Sequence, residues 1–163
     1  MVAPALASAL DRLRRLLPGA WAGLLLCIAA IAAPAAFAML DRPNAGRVVG
    51  WIFQREAWTS LVLAVVLLLI ERPRARSAAQ GGRGSVLSAD MLLLLATVFC
   101  TVAGHFALLP LMDAARTGQG PLTFGQLHFI SVGFFLAKLL CIVALAWRAV
   151  APAGVNLSRP ASS

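Results

Sequence analysis

Long apolar runs separated by short polar segments are the main feature of this chain. Three runs, at residues 20–40, 91–112 and 124–147, contain no charged side chain except Lys138 in the last. A helix of about 20 apolar residues crosses the hydrocarbon core of a bilayer. Each of the three runs therefore predicts one transmembrane helix.

A fourth apolar run, at residues 57–70, is too short to cross a bilayer by itself. We expect the helix to continue upstream through residues 45–56, which carry Arg55 and Glu56, as an interfacial first part. A re-entrant segment is the alternative, and it would leave three crossings with the two termini on opposite sides. The predicted helices are about 19–40, 46–70, 89–112 and 124–148, with a basic loop at 71–88.

Turn and capping residues support these boundaries. Arg72-Pro73 is expected to end the second helix, because proline lacks a backbone N–H and clashes with the preceding turn. Ser88 is a suitable N-cap for the third helix, and the helix dipole favours Asp90 in its first turn. Thr123 followed by Gln126 predicts a capping box at the start of the fourth helix.

The composition decides the class of fold. Of the 163 residues, 61% are hydrophobic and 12% are charged, which is more apolar surface than a soluble domain of this size could bury. In lipid only the backbone needs internal hydrogen bonds, and helices provide them. The predicted fold is an all-α four-helix transmembrane bundle with up-down topology, forming a single membrane domain over residues 1–163.

Arginines flank the predicted helices unequally. Cytoplasmic segments of membrane proteins carry an excess of Lys and Arg, so the richer side is expected to be cytoplasmic. This places both termini in the cytoplasm of a multi-pass protein of the bacterial inner membrane. The richer side holds Arg12, Arg14, Arg15, Arg72, Arg74, Arg76, Arg83, Arg148 and Arg159, and the other side holds Arg42, Arg47, Arg55 and Arg116.

The first apolar run could instead be a cleavable signal peptide. Ala36-Phe37-Ala38 has the small-x-small form of a cleavage site, and basic residues precede the run. The run is long for the apolar part of a signal peptide, and Pro34 lies within it. We therefore expect a retained helix.

Three classes of protein are disfavoured by the sequence. The net charge of +8 comes from arginines between the apolar runs and not from a basic face with interleaved aromatic residues, so we expect no nucleic-acid partner. Cys27, Cys100 and Cys141 are odd in number and lie inside apolar runs, which disfavours a disulfide framework. No phosphate-binding glycine loop, pair of catalytic carboxylates or nucleophile–base–acid set is present, so we expect no enzymatic activity and no catalytic residue.

Lys138 is the clearest candidate for a functional residue, because an ionisable group near the centre of the bilayer must be compensated inside the bundle. We expect none of the acidic residues at its depth. Compensation is expected from backbone carbonyls, Thr97, Thr101, Cys100, water, a bound anion or loss of the proton. The predicted interior polar face consists of His128, Ser131, Lys138, His105 and Cys100.

His105 and His128 are predicted to lie at one depth on neighbouring helices. Such a pair could ligate a haem or a copper ion, or the two rings could be hydrogen-bond partners between helices. Small residues in the first helix indicate close helix packing inside the bundle. They include the GxxxG pair Gly19 and Gly23, followed by Pro34.

Several segments together resemble one family of membrane proteins. These segments are Gly23, Ala33-Pro34, Phe37, Ala45-Gly46-Arg47 through Phe53, Leu109-Pro110, Arg116, and Leu127-His128 with Ser131. They resemble the domain of unknown function 4149 family, which is similar to the eukaryotic transmembrane protein 205 group. The resemblance spans about residues 19–147 and implies a compact four-helix membrane domain of unassigned activity, with Gly46, Arg47 and Phe53 in its motif.

The sequence favours three functions in order. The first is a non-enzymatic accessory or assembly component of a membrane complex, with membrane lipids, further copies or other subunits as partners. The second is a haem- or copper-handling protein that uses His105 and His128. The third is a small transporter or channel with a polar path at Lys138.

Overall fold

The computed structural model describes residues 2–82 and 84–151, and every regular element in these ranges is helical. Four stretches are long and apolar enough to cross a membrane: Ala5–Met39, Arg42–Gln80, Ala89–Arg116 and Phe124–Val150. The predicted all-helical fold with four membrane-spanning stretches is confirmed. In chain order the α-helices are α1 (Val2–Cys27), α2 (Ala33–Met39), α3 (Arg42–Gln80), α4 (Ala89–Thr101), α5 (Leu108–Arg116) and α6 (Phe124–Val150).

Two short π-helical turns interrupt the first and third stretches. They cover Ile28–Ala32, between α1 and α2, and Val102–Ala107, between α4 and α5. Each turn precedes a proline, Pro34 or Pro110, by a few residues. Proline lacks an N–H and its ring crowds the carbonyl four residues earlier, and a wider turn relieves both effects. The helices therefore continue through both prolines.

The second stretch differs from the prediction. It is one helix of 39 residues that begins at the Asp41 N-cap and continues through Pro73 to Gln80. The predicted end at Arg72-Pro73 and the loop at 71–88 are wrong over residues 71–80. Glu71 and Ala75 on the inner face are buried against the bundle, and this packing holds the helix together beyond the proline.

The helix starts confirm the capping predictions. Ser88 accepts a hydrogen bond from the Met91 amide, with Asp90 in the first turn of α4. Thr123 and Gln126 form the capping box of α6. Both motifs involve residues within four positions of each other, so the sequence alone carries the information.

Ion pairs at one end of the bundle join all four membrane-spanning stretches. α1 and α4 begin at this end, and α3 and α6 finish there, so successive stretches are antiparallel. We call it the basic end, and its ion pairs the basic-end cluster. The pairs are Arg14–Glu71, Arg14–Asp90, Arg15–Asp11, Arg74–Asp11 and Arg148–Asp90. Arg83 and Arg159, which the sequence assigns to the same side, lie outside the described residues.

The apolar core lies between this end and the middle of the bundle. It receives side chains from all four stretches: Trp21, Ala22, Leu25, Ala64, Leu67, Leu94, Ile142 and Leu145. The predicted role of Gly19 and Gly23 in packing inside the bundle is wrong. Both are exposed, and a Cβ at either would meet nothing within 4 Å. The inner face of α1 is the one that carries Trp21 and Leu25, and Pro34 is also exposed.

Candidate functional site

A buried ion pair between α3 and α6 is the most unusual feature of the bundle. Lys138 Nζ donates hydrogen bonds to both carboxylate oxygens of Glu56, at 2.7 and 2.9 Å. The side chains of Lys138 and Glu56 are 5% and 3% exposed. We call these two residues the mid-membrane pair. The expectation that no acidic residue lies at the depth of Lys138 is therefore wrong.

Helix geometry explains why the two charges meet. Both residues lie fourteen positions after the first residue of their helices, Arg42 and Phe124. The two helices begin at the same end of the bundle, so each charge lies about 21 Å along its helix. Glu56 is thus a buried residue in the middle of a long helix and not part of an interfacial segment.

Two further side chains extend the hydrogen bonding of the mid-membrane pair. The Ser60 hydroxyl donates to Glu56 Oε1, and Trp21 Nε1–H donates to Ser60 Oγ at 3.1 Å. Trp21 and Ser60 are each 1% exposed. The hydrogen-bonded chain Trp21–Ser60–Glu56–Lys138 therefore connects α1, α3 and α6 inside the bundle.

Aromatic rings cover one side of the pair. Lys138 Nζ lies 5.2 Å from the centroid of the Phe135 ring, which attracts a cation. The Phe53 ring meets Phe135 edge-to-face, with centroids 5.5 Å apart. Phe53 thus packs beside the mid-membrane pair, three residues before Glu56.

The threonines expected to compensate Lys138 have other partners. The hydroxyls of Thr97 and Thr101 donate to the carbonyls of Leu94 and Thr97 in their own helix. In low dielectric, a charge that is hydrogen-bonded to its counter-charge costs far less than either charge alone. The carboxylate is therefore the main compensation of the ammonium.

The π-helical turn at Val102–Ala107 brings the backbone of Gly104 close to Phe134 of α6. A Cβ on Gly104 would lie 2.5 Å from the Cβ of Phe134, so only glycine fits there. Ser131 Oγ donates to the Gly104 carbonyl at 2.9 Å, which joins the third and fourth stretches. In the described part of the chain, His105 Nε2 is buried and has no hydrogen-bond partner.

The two histidines do not share one interior face. His128 is exposed, and its ring stacks on Phe124 with centroids 6.1 Å apart, whereas His105 meets the edge of Phe106. His128 was expected on the face of Lys138. Ten residues at about 100° each place it about 80° away from Lys138 around the helix, so its assignment to the interior face is wrong.

The remaining residues of the predicted polar face, Ser131 and Cys100, are at least partly buried in the bundle. Ser131 is half-buried, and Cys100 is buried on α4. Within residues 2–82 and 84–151, no three His, Cys, Asp or Glu side chains are grouped so as to hold a metal ion. Haem or copper binding by His105 and His128 stays a prediction.

The predicted motif residues mark the start of α3. Arg47 donates to the Asn44 side chain, and the Asn44 side chain donates to Asp41, the N-cap. Gly46 is half-buried beside Ala45, which is fully buried. This polar chain fixes the first turn of α3, from which Phe53 and Glu56 are positioned.

Sequence reasoning missed Glu56, Ser60 and Trp21. A usable signal was present, since Glu56 and Ser60 are four residues apart and share one helix face with the apolar Ala64 and Leu67. An acidic residue on an apolar face requires a cation at the same depth. Lys138 is the cation that pairs with Glu56 on this face.

Comparisons with known proteins agree with the predicted family. The family model described as Domain of unknown function (DUF4149) matches residues 16–121, which include Trp21, Glu56 and Ser60. No curated protein and no solved structure matches the chain. The likeness to the transmembrane protein 205 group stays a prediction.

Proposed function

Since the chain belongs to the membrane-protein family described as Domain of unknown function (DUF4149), we propose that it is a non-catalytic accessory or assembly component of a membrane complex. It resides in the bacterial inner membrane with both termini in the cytoplasm. The four membrane-spanning stretches form its membrane domain. Its contribution is a fixed arrangement of helices that other subunits recognise from the lipid side.

The mid-membrane pair is the observation that carries this proposal. Lys138 and Glu56 bond each other, the Ser60 hydroxyl of α3 donates to the carboxylate, and Trp21 of α1 donates to Ser60. Charged groups that carry a solute or a proton are usually offered to a cavity or a chain of water. Here the deepest charges hold three helices together, which supports a structural role over a transport role.

Reconstitution tests the structural role against transport. The purified protein is placed in liposomes that contain a pH-sensitive dye, and proton flux is followed after a membrane potential is applied. We expect wild-type and Lys138→Met vesicles to match protein-free vesicles. Flux in the wild type that is absent from Lys138→Met would overturn the proposal in favour of a transporter.

The outer surface of the bundle supports lateral partners. Large apolar side chains such as Phe129, Leu140 and Trp147 are 69–80% exposed. Lipid or neighbouring transmembrane helices must cover them. Close contact with other helices is how an accessory subunit would use this surface.

Native electrophoresis tests the accessory role. Membranes from the native host are solubilised in a mild detergent and compared with the purified protein in the same detergent. We expect the protein from native membranes to migrate as a larger species than the purified 17.1 kDa chain. Identical migration of the two samples would overturn the accessory role.

The orientation rests on the arginine distribution and has its own test. Ser77 at the basic end and Thr117 at the opposite end are both exposed. Each is replaced by cysteine in a variant that lacks Cys27, Cys100 and Cys141, and intact spheroplasts are treated with an impermeant maleimide. We expect Thr117→Cys to be labelled and Ser77→Cys to be protected. The reverse pattern would place the termini outside.

A further inference from the structure

The basic end carries more cations than its own carboxylates can pair. Asp11, Glu71 and Asp90 are each occupied by arginines of the basic-end cluster. Three other arginines at this end are exposed, and in the described part of the chain they make no ion pair. They are Arg12, Arg72 and Arg76, and we call them the arginine rim.

Helix geometry places the arginine rim at the level of lipid headgroups. Arg72 and Arg76 follow Ile70, the last residue of the apolar run at 57–70, by two and six positions, or about 3 and 9 Å. Arg12 precedes the apolar run at Ala20 by eight positions, or about 12 Å. The headgroup region extends about 5–8 Å beyond the hydrocarbon on each side, and an arginine side chain can bend towards it.

The chemistry of the rim suits phosphate. A guanidinium group presents a planar fork of N–H donors that matches two phosphate oxygens. Arg72 and Arg76 are four residues apart on one exposed face of α3, so both can reach one headgroup or two adjacent ones. We propose that the arginine rim binds the headgroups of anionic phospholipids and anchors this end of the bundle in a negatively charged leaflet.

Most arginines at the opposite end contact another side chain of the protein. Arg47 donates to Asn44, Arg55 lies over the Trp51 ring, and Arg116 is 3.7 Å from Asp113. Among the described residues, Arg42 makes no ion pair and directly follows Asp41, as Arg12 follows Asp11 and Arg72 follows Glu71. In the described part of the chain, one arginine at that end therefore lacks a side-chain partner, against three at the basic end.

Lipid titration of the purified protein tests the proposal. Short-chain phosphatidylglycerol is added in detergent, with phosphatidylcholine as the neutral probe, and bound lipid is counted by native mass spectrometry. We expect tighter binding of phosphatidylglycerol. Because each surface arginine near an anionic lipid contributes about a fivefold change in affinity, Arg72→Gln/Arg76→Gln should weaken binding about 25-fold.

The matched control removes the same charge from the other end. Arg42→Gln/Arg47→Gln should leave phosphatidylglycerol affinity within about twofold. Arg12→Gln offers an independent variant on α1, with an expected loss of about fivefold. It also tests the rim if the double variant does not fold.

Three outcomes would overturn the proposal. The first is equal binding of the two lipids, and the second is equal loss in the two double variants, which would indicate attraction to net charge alone. The third is binding of polyglutamate that depends on Arg72 and Arg76 while phosphatidylglycerol binding does not. That result would assign the rim to an acidic protein partner.

Discussion

The mid-membrane pair and the basic-end cluster use the same chemistry in different surroundings. Glu56 and Lys138 are 3% and 5% exposed, whereas Arg148 and Asp90 are 49% and 17% exposed. At the basic end, water and salt can replace a lost partner. In the middle nothing can, so the same kind of bond has a much larger consequence when it is broken.

Removing one member of the mid-membrane pair should have the largest effect. Lys138→Met leaves the Glu56 carboxylate buried without a counter-charge, and the free energy of unfolding should fall by about 3–5 kcal/mol. The measurement is unfolding by dodecyl sulfate in mixed micelles, followed by circular dichroism.

A double variant separates the effect of the two charges from the effect of side-chain packing. Glu56→Leu/Lys138→Met replaces both charges by apolar groups, so it should recover most of the stability lost in Lys138→Met. Arg55→Leu, at the exposed neighbour of Glu56, is the matched control and should change stability by less than about 0.5 kcal/mol. If the double variant is as unstable as Lys138→Met, charge is not the cause.

The close approach of Gly104 to Phe134 should show the next largest effect. Gly104→Ala would place a methyl group against Phe134, where the ideal Cβ position is 2.5 Å from the Phe134 Cβ. We expect a loss of about 1–3 kcal/mol in the same assay. Gly23→Ala is the control, because a Cβ there meets nothing within 4 Å. Because alanine favours helix more than glycine does, Gly23→Ala should keep or gain stability. A similar loss in both variants would show that the approach of the two helices at Gly104 does not decide the outcome.

Breaking an ion pair of the basic-end cluster should lower the free energy of unfolding by a smaller amount, and this loss should depend on the salt concentration. Arg14 bonds Glu71 and approaches Asp90, and its side chain is 19% exposed. Arg14→Gln should cost roughly 1 kcal/mol. Between about 0.05 M and about 1 M salt this difference should shrink, because screening shortens the range of surface charges to about 3 Å. The Lys138→Met difference should not change, and equal salt dependence of the two would remove the contrast between the regions.

The smallest effect is expected at the exposed Asp41 cap. Hydrogen bonds from the side chain and the backbone amide of Asn44 hold the pKa of Asp41 below its ordinary value of 3.8. The contribution to stability is therefore present above the ordinary pKa and is lost as the pH falls through the lowered pKa. Asp41→Ala should speed amide hydrogen exchange in the first turn of α3 at neutral pH, and the difference from wild type should vanish in strong acid. A difference that persists in acid would show that the carboxylate is not the cap.

The four spans and their caps could be predicted because their signals are local. Apolar runs mark the spans, and Ser88 and Thr123 are within four residues of the groups they cap. The end of α3 could not be predicted, because Pro73 is a local stop signal that the burial of Glu71 and Ala75 overrides.

The site was predicted only in part. The burial of Lys138 follows from its position in an apolar run, but its partner depends on the true length of α3. The importance of Gly104 also depends on a tertiary contact. Gly104 meets Phe134 across two helices, whereas the recognisable GxxxG of Gly19 and Gly23 lies on the outer surface.

The separation of Glu56 and Lys138 along the chain has a consequence for biosynthesis. The lysine is 82 residues after the glutamate, so at about 5–20 residues per second the ribosome needs roughly 4–16 s to add it. During that interval the Glu56 carboxylate has no Lys138 to pair with, whether α3 lies in the hydrocarbon or at the membrane surface. The ion pair that joins α3 to α6 can therefore form only after α6 has been synthesised.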